Sequence, residues 1–170
     1  MGGYGSGRSW GFSKKNTVED CRNLDINRWM REGIVKPNTH RFGVWAWYRD
    51  KKKVASIGYE SDCDGNSGYI RLFYTWNKTE KVDYQVPLVT TRPHFGGLRW
   101  WFICPILGCS RRAGKLYSPP GRKYFGCREC YDLTYTSCQD SHKFDALYEK
   151  IAKDVGTTPG FVRRVLLKKI

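Results

Sequence analysis

A chain of 170 residues, 40% hydrophobic and 15% aromatic, carries enough apolar side chain for one large domain or two small ones, which excludes a disordered tether. Its formal net charge of +14 points to a polyanionic partner, nucleic acid ahead of a membrane surface. No apolar run approaches a membrane span and the Gly-rich start lacks the apolar stretch of a secretion signal, so a cytoplasmic setting without membrane contact is expected; there, seven cysteines favour thiols and metal over disulfides.

Residues 1–16 form a Gly- and Ser-rich arm with Tyr4, Arg8, Trp10, Lys14 and Lys15 interspersed. Such an arm is either a flexible leader or a segment that tracks a nucleic-acid backbone and stacks on bases. A second region, 17–95, opens on Thr17-Val18-Glu19-Asp20, the form of a helix-starting capping box. Asp25 is placed to cap a second short helix with Ile26, Trp29 and Met30 on one face, and Gly33 to end it. Residues 40–103 alternate with period two. The sets Phe42/Val44/Ala46/Tyr48, Ile70/Leu72/Tyr74/Trp76 and the run Lys81–Val86 predict about five antiparallel strands. Turn residues at 50–53, 62–66 and 77–80 separate them. Trp45 and Trp47 lie opposite the Phe42 set, so either both faces are covered or one binds something flat.

The third region, 96–140, holds Cys104, Cys109, Cys127 and Cys130 in the pattern C-x4-C-x17-C-x2-C. Two short-spaced pairs present four thiolates to one soft cation, and Zn2+ is the expected cofactor, with an iron–sulfur cluster as the minor alternative. Ser118-Pro119-Pro120-Gly121 supplies a turn between the pairs, and Phe102, Tyr117 and Phe125 a small core, which together read as a zinc ribbon. Cys138 is a competing ligand, Cys21 a core residue and Cys63 a turn thiol. Four thiolates leave no position for water, so no catalytic metal and no enzyme is expected. A lone His94 reads as a turn residue, with a nuclease built on it as a third-rank reading. Arg111, Arg112, Lys115, Arg122, Lys123 and Arg128 cluster around the cysteines, interleaved with Tyr117, Tyr124 and Phe125. Cations reach phosphates while aromatic faces take bases or pack inward.

The last region, 141–170, predicts a helical hairpin. Residues 148–167 are similar to a helix-turn-helix: Ala152 is the small packing residue, Gly156 sits in the turn, and Ile151, Val155, Val162 and Val165 share an apolar face. Thr158 caps the second helix and Pro159 opens it. Thr157, Gly160, Arg163, Arg164 and Lys168 would then meet a major groove or its phosphates. An ordinary packed hairpin has the same pattern.

The opening MGGYGSGR, Val18-Glu19-Asp20-Cys21, the run Phe95–Phe102 into Cys104-Pro105, and Cys127-Arg128-Glu129-Cys130-Tyr131 resemble a group of small bacterial and mobile-element proteins of no established activity. The resemblance implies the zinc ribbon and no reaction. The expected fold is α+β: an antiparallel sheet followed by a four-cysteine zinc ribbon, with short N-terminal helices and a C-terminal helical hairpin. The expected function is zinc-stabilised, regulatory nucleic-acid binding, duplex DNA favoured, in a bacterial or phage context. The alternative is an inhibitor or adaptor of a host protein, such as a phage anti-defence protein, using an exposed patch at Trp45, Trp47 and Trp76.

Overall fold

In the computed structural model, residues 15–140 and 144–167 are described, and they divide into one unit ending at Leu133 and another beginning at Thr134. The first unit runs β1 (Arg22–Asp25), α1 (Ile26–Arg31), β2 (Thr39–Arg49), β3 (Lys52–Asp64), β4 (Ser67–Trp76), β5 (Glu80–Thr91), β6 (Arg99–Ile103), β7 (Arg112–Ala113) and β8 (Lys115–Ser118). Strands β2 to β7 lie side by side in chain order as one antiparallel sheet. Residues Asp50-Lys51 and Asn77-Lys78, all at positive φ, close two of its hairpins. Paired positive φ angles match the right-handed twist of the flanking strands. The α+β class and the antiparallel strands β2 to β6 are as expected. Strand β6 pairs with β5, so the sheet and the cysteine segment belong to the same unit.

The inner face buries Trp45, Ile57, Ile70, Leu72, Val86 and Phe102. Truncating one such side chain to Ala costs about 2–5 kcal/mol. Helix α1 covers this face with Ile26 and Trp29. Asp25 caps it, its carboxylate accepting from the backbone N–H of Asn27 at 2.9 Å. Gly33, at φ +71, ends it, with Ile34 N–H donating to Trp29 O at 2.9 Å and Gly33 N–H to Met30 O at 3.1 Å. That pair of bonds is the Schellman closure.

Three expectations are corrected. Thr17–Asp20 forms a turn and no helix: the Thr17 hydroxyl donates to the Asp20 carboxylate at 2.7 Å, and the following residues pair as β1 with β8. Cys63 is buried on β3 and is no turn thiol. The tryptophans point inward: Trp45 is buried and Trp47 half-buried, while Phe42 (81% exposed), Val44 (68%) and Tyr48 stand on the outer face. Trp29 of α1 packs edge-on against Trp45, ring centroids 5.5 Å apart, and this selects which face turns inward.

The second unit holds α2 (Thr136–Asp140), α3 (Asp145–Val155) and α4 (Pro159–Leu167). Gly156, at φ +70, closes α3, and Thr157 N–H donates to Ala152 O at 2.9 Å. The Thr158 hydroxyl accepts from Phe161 N–H at 3.4 Å at the start of α4. Among the described residues no helix is long and apolar enough to cross a membrane.

Candidate metal centre

Strand β6 delivers Cys104, and β7 begins three residues after Cys109. The chain between them is held by Cys104 N–H donating to Arg111 O at 2.9 Å and Cys109 N–H to Ile106 O at 3.0 Å, with Gly108 at φ +79 making the reversal. After β8, Pro119-Pro120-Gly121 turns the chain, Arg122 N–H donating to Pro119 O at 3.0 Å with Gly121 at φ +75. Pro and Gly in these positions are what a type II turn demands. The returning chain makes a single bridge, Tyr117 to Gly126, and then presents Cys127 and Cys130. Phe125 N–H donates to the Tyr84 hydroxyl at 3.0 Å, and the Phe125 ring stacks on Trp47 at 5.9 Å, so this segment is pinned to the sheet just before Cys127.

The four sulfurs all lie within 4.8 Å of one another. Cys104 and Cys130 Sγ are 3.8 Å apart, Cys109 and Cys127 Sγ 3.7 Å apart, and none is in a disulfide. One ion bound at about 2.3 Å to each of four tetrahedral sulfurs would set them about 3.8 Å apart. The four cysteines therefore can hold a single metal ion. Backbone donors complete the arrangement: Cys127 N–H points at Cys104 Sγ at 3.2 Å, and the amides of Ile106 and Arg111 face the sulfurs of Cys104 and Cys109. These amides favour thiolate over thiol. The Arg111 amide first of all draws Cys109 down to about 7, whereas burial pushes Cys104 and Cys130 up. Crowded sulfurs resist shared negative charge, and a cation between them removes that resistance.

The other cysteines stand apart. Cys138, on α2, is outside the group. Cys21 is buried, with its thiol donating to Thr17 O at 3.1 Å, and burial raises it to about 11. His94 lies in the exposed turn before β6, packed on Phe95. Phe102 and Phe125 join the main core, and Tyr117 joins a second cluster with Val18, Cys21 and Leu133, so the cysteine segment builds no separate small core.

Of the expected cationic set, Arg111 is committed to Glu129, joining the two cysteine-bearing turns, and Lys123 to Glu80. Arg128 is exposed and has an interaction within the fold. Arg112 and Arg122 are exposed, and among the described residues neither has a carboxylate within ion-pair distance. In the second unit Ala152 and Val162 are buried as the hairpin requires, but Val155 is 70% exposed and Val165 is exposed too. Arg163 and Arg164 are exposed on α4, Gly160 is exposed and Thr157 half-buried. Lys168 and the arm at 1–14 lie outside the described residues.

Sequence reading missed Gly126. A Cβ there would stand 2.7 Å from the Ile106 side chain and 2.9 Å from Tyr131, so the two cysteine-bearing turns close on this residue. Its only signal was a glycine directly preceding C-x2-C. No protein-family model, curated protein or solved structure matches this chain.

Proposed function

We propose that this protein is a zinc-stabilised nucleic-acid-binding protein, in which a four-cysteine zinc ribbon orders a basic surface and does no chemistry. The observation that carries the reading is the sulfur spacing of 3.7 and 3.8 Å, beside exposed Arg112 and Arg122 left without carboxylate partners among the described residues. Zinc is the ion this donor set favours: borderline-soft, redox-silent and content with four thiolates. The ribbon is β6–β7 with the first cysteine pair and the 115–126 hairpin with the second. Cys104, Cys109, Cys127 and Cys130 fill the coordination sphere, so water has no place on the ion. The net charge of +14 supplies long-range attraction for phosphates, and Arg163 and Arg164, exposed on α4, would add duplex contacts.

The test is mobility shift with the zinc-loaded protein on duplex and single-stranded DNA and on RNA, from 50 to 200 mM salt. Affinity is expected to fall steeply with salt, and R163A/R164A to weaken duplex binding. Unchanged duplex affinity in that variant removes the tail from the reading, and no salt-sensitive binding to any nucleic acid overturns it.

A second reading, a protein-binding adaptor, is favoured by one observation: Phe42, Val44, Tyr48 and Phe73 are exposed together on the outer sheet face. It predicts one stoichiometric protein, and no nucleic acid, on purification from the native host without nuclease. A variant with Phe42 and Val44 changed to Ser would lose that partner.

A further inference from the structure

On the inner side of the sheet, beside the β2–β3 and β4–β5 turns, lies a groove of about 830 Å³ within the first unit. Its volume is that of a ligand site. The floor is aromatic: Trp47, Tyr74, Trp76 and Phe125. Three of the four are fixed. Trp47 Nε1 donates to Asn23 O at 3.0 Å and its ring stacks on Phe125, while the Tyr74 hydroxyl donates to Lys123 O. Trp76 differs. It is half-buried at the end of β4, and among the described residues its ring makes no hydrogen bond and stacks on no other aromatic.

Besides Lys123, which is paired with Glu80, four cations from four separate segments line the same groove: Arg22, Arg49, Lys78 and Arg122. All are exposed, and among the described residues none has a carboxylate within ion-pair distance. Glu19 and Asp20 also line it, Asp20 being engaged by Thr17. The cationic excess is thus aimed into a cleft whose floor offers a flat, unused ring. Aromatic faces take any base, and guanidinium and ammonium groups take the phosphates on either side. A duplex hides its base faces and cannot lay one on a concave floor. A single phosphate group does not need four cations, whereas a strand crossing the groove brings several.

We propose that this groove binds a short single-stranded stretch of nucleic acid, one base lying on Trp76 with neighbouring phosphates on Arg49, Lys78 and Arg122. The proposal rests on the nucleic-acid reading above and names the form of nucleic acid and the place.

The experiment is fluorescence anisotropy of the full-length, zinc-loaded protein with a labelled 15-mer of thymidine, its duplex with the complementary strand, and AMP as competitor. Trp76→Ala is expected to weaken single-strand binding about tenfold or more, with the duplex little affected, and Trp76→Phe to restore most of it. R49A/R122A, at exposed positions, is expected to lower the salt slope for the single strand by roughly 1–1.5; this variant decides if Trp76→Ala fails to fold. Single-strand affinity unchanged in both Trp76→Ala and R49A/R122A overturns the groove while leaving nucleic-acid binding intact. AMP competing as well as the oligonucleotide assigns the groove to free nucleotides and overturns the strand. If the unmodified protein binds neither oligonucleotide, the underlying reading has failed, and the groove with it.

Discussion

Metal removal is the perturbation with the largest expected effect on the first unit. Regular structure contributes little to its cysteine segment: β7 is two residues long, the return after β8 is one bridge, and the turns at Cys104–Cys109 and Cys127–Cys130 meet at their sulfurs. An ion that binds only the folded unit stabilises it by about 4 kcal/mol at a thousandfold excess over Kd. The unit has roughly 120 described residues. At about 2.1 cal/mol/K per residue its unfolding entropy is about 250 cal/mol/K, so each kcal/mol moves Tm by about 4 °C. Chelation is therefore expected to lower Tm by about 16 °C, read by calorimetry with and without a strong chelator, alongside metal analysis showing one ion per chain. Hydrogen exchange should show the loss concentrated at 104–112 and 126–133, with β3, β4 and β5 still protected. C104A/C127A, lacking two of four ligands, should match the chelated protein and be indifferent to chelator. A Tm that does not move when metal analysis confirms an empty protein refutes the reasoning. So does a full ion per chain in C104A/C127A.

Gly126→Ala should cost about 1–3 kcal/mol, the range for overpacking, because its Cβ must displace both Ile106 and Tyr131; Tm falls by roughly 4–12 °C, and chelator competition shows weaker metal retention. A network crossing the outer sheet face predicts a pH dependence. Glu60 accepts from His40 and Arg71, and Asp83 is held by Arg71 at 2.6 Å, which lowers both carboxyls below their ordinary values. A depressed folded value means the contribution is whole above pH 4.5, the ordinary Glu60 value, and is lost as pH falls through the lowered one. Urea midpoints at pH 7, 4 and 3 should fall less steeply in E60Q/D83N than in the unmodified protein, and parallel curves would count against the network.

What the sequence made legible was local. Alternation in 40–103 yields strands because one face must be apolar, and Asp50 and Asn77 mark turns because they tolerate positive φ. Asp25, Gly33 and Gly156 announce helix ends for equally local reasons, and cysteine spacing gathers four sulfurs whatever the surrounding fold. What stayed hidden was relational. Alternation defines two faces of β2 and is silent on which one turns inward; Trp29, on a different element, decides by packing against Trp45. The β1–β8 pairing joins Arg22 to Ser118 with no turn between them to predict it. The groove is the extreme case, since Arg22, Arg49, Lys78 and Arg122 are scattered cations until the sheet and the Pro119–Gly121 turn bring them around Trp76.

The four-cysteine cluster and the groove share a piece of chain, so an ion at the cysteines would be coupled to a ligand in the groove. Phe125, on the groove floor, lies two residues before Cys127, and Arg122 lies on the turn leading to it. The Tyr84–Phe125 bond and the Trp47 stack tie this segment to the sheet at one end, and the sulfurs tie it at the other. Releasing the ion frees the second end, so the segment that carries Arg122 and Phe125 keeps its tie to the sheet but loses the one that follows it. Single-strand affinity should then drop on chelation, while Arg163 and Arg164, in the other unit, keep whatever duplex affinity they provide. Linkage requires the converse: a bound oligonucleotide must raise metal affinity by the same factor. Metal transfer to a colorimetric chelator, with and without saturating thymidine 15-mer, measures that factor directly. Equal transfer equilibria, together with equal oligonucleotide affinity of metal-free and metal-loaded protein, would separate the two sites and leave the ion a purely local clamp.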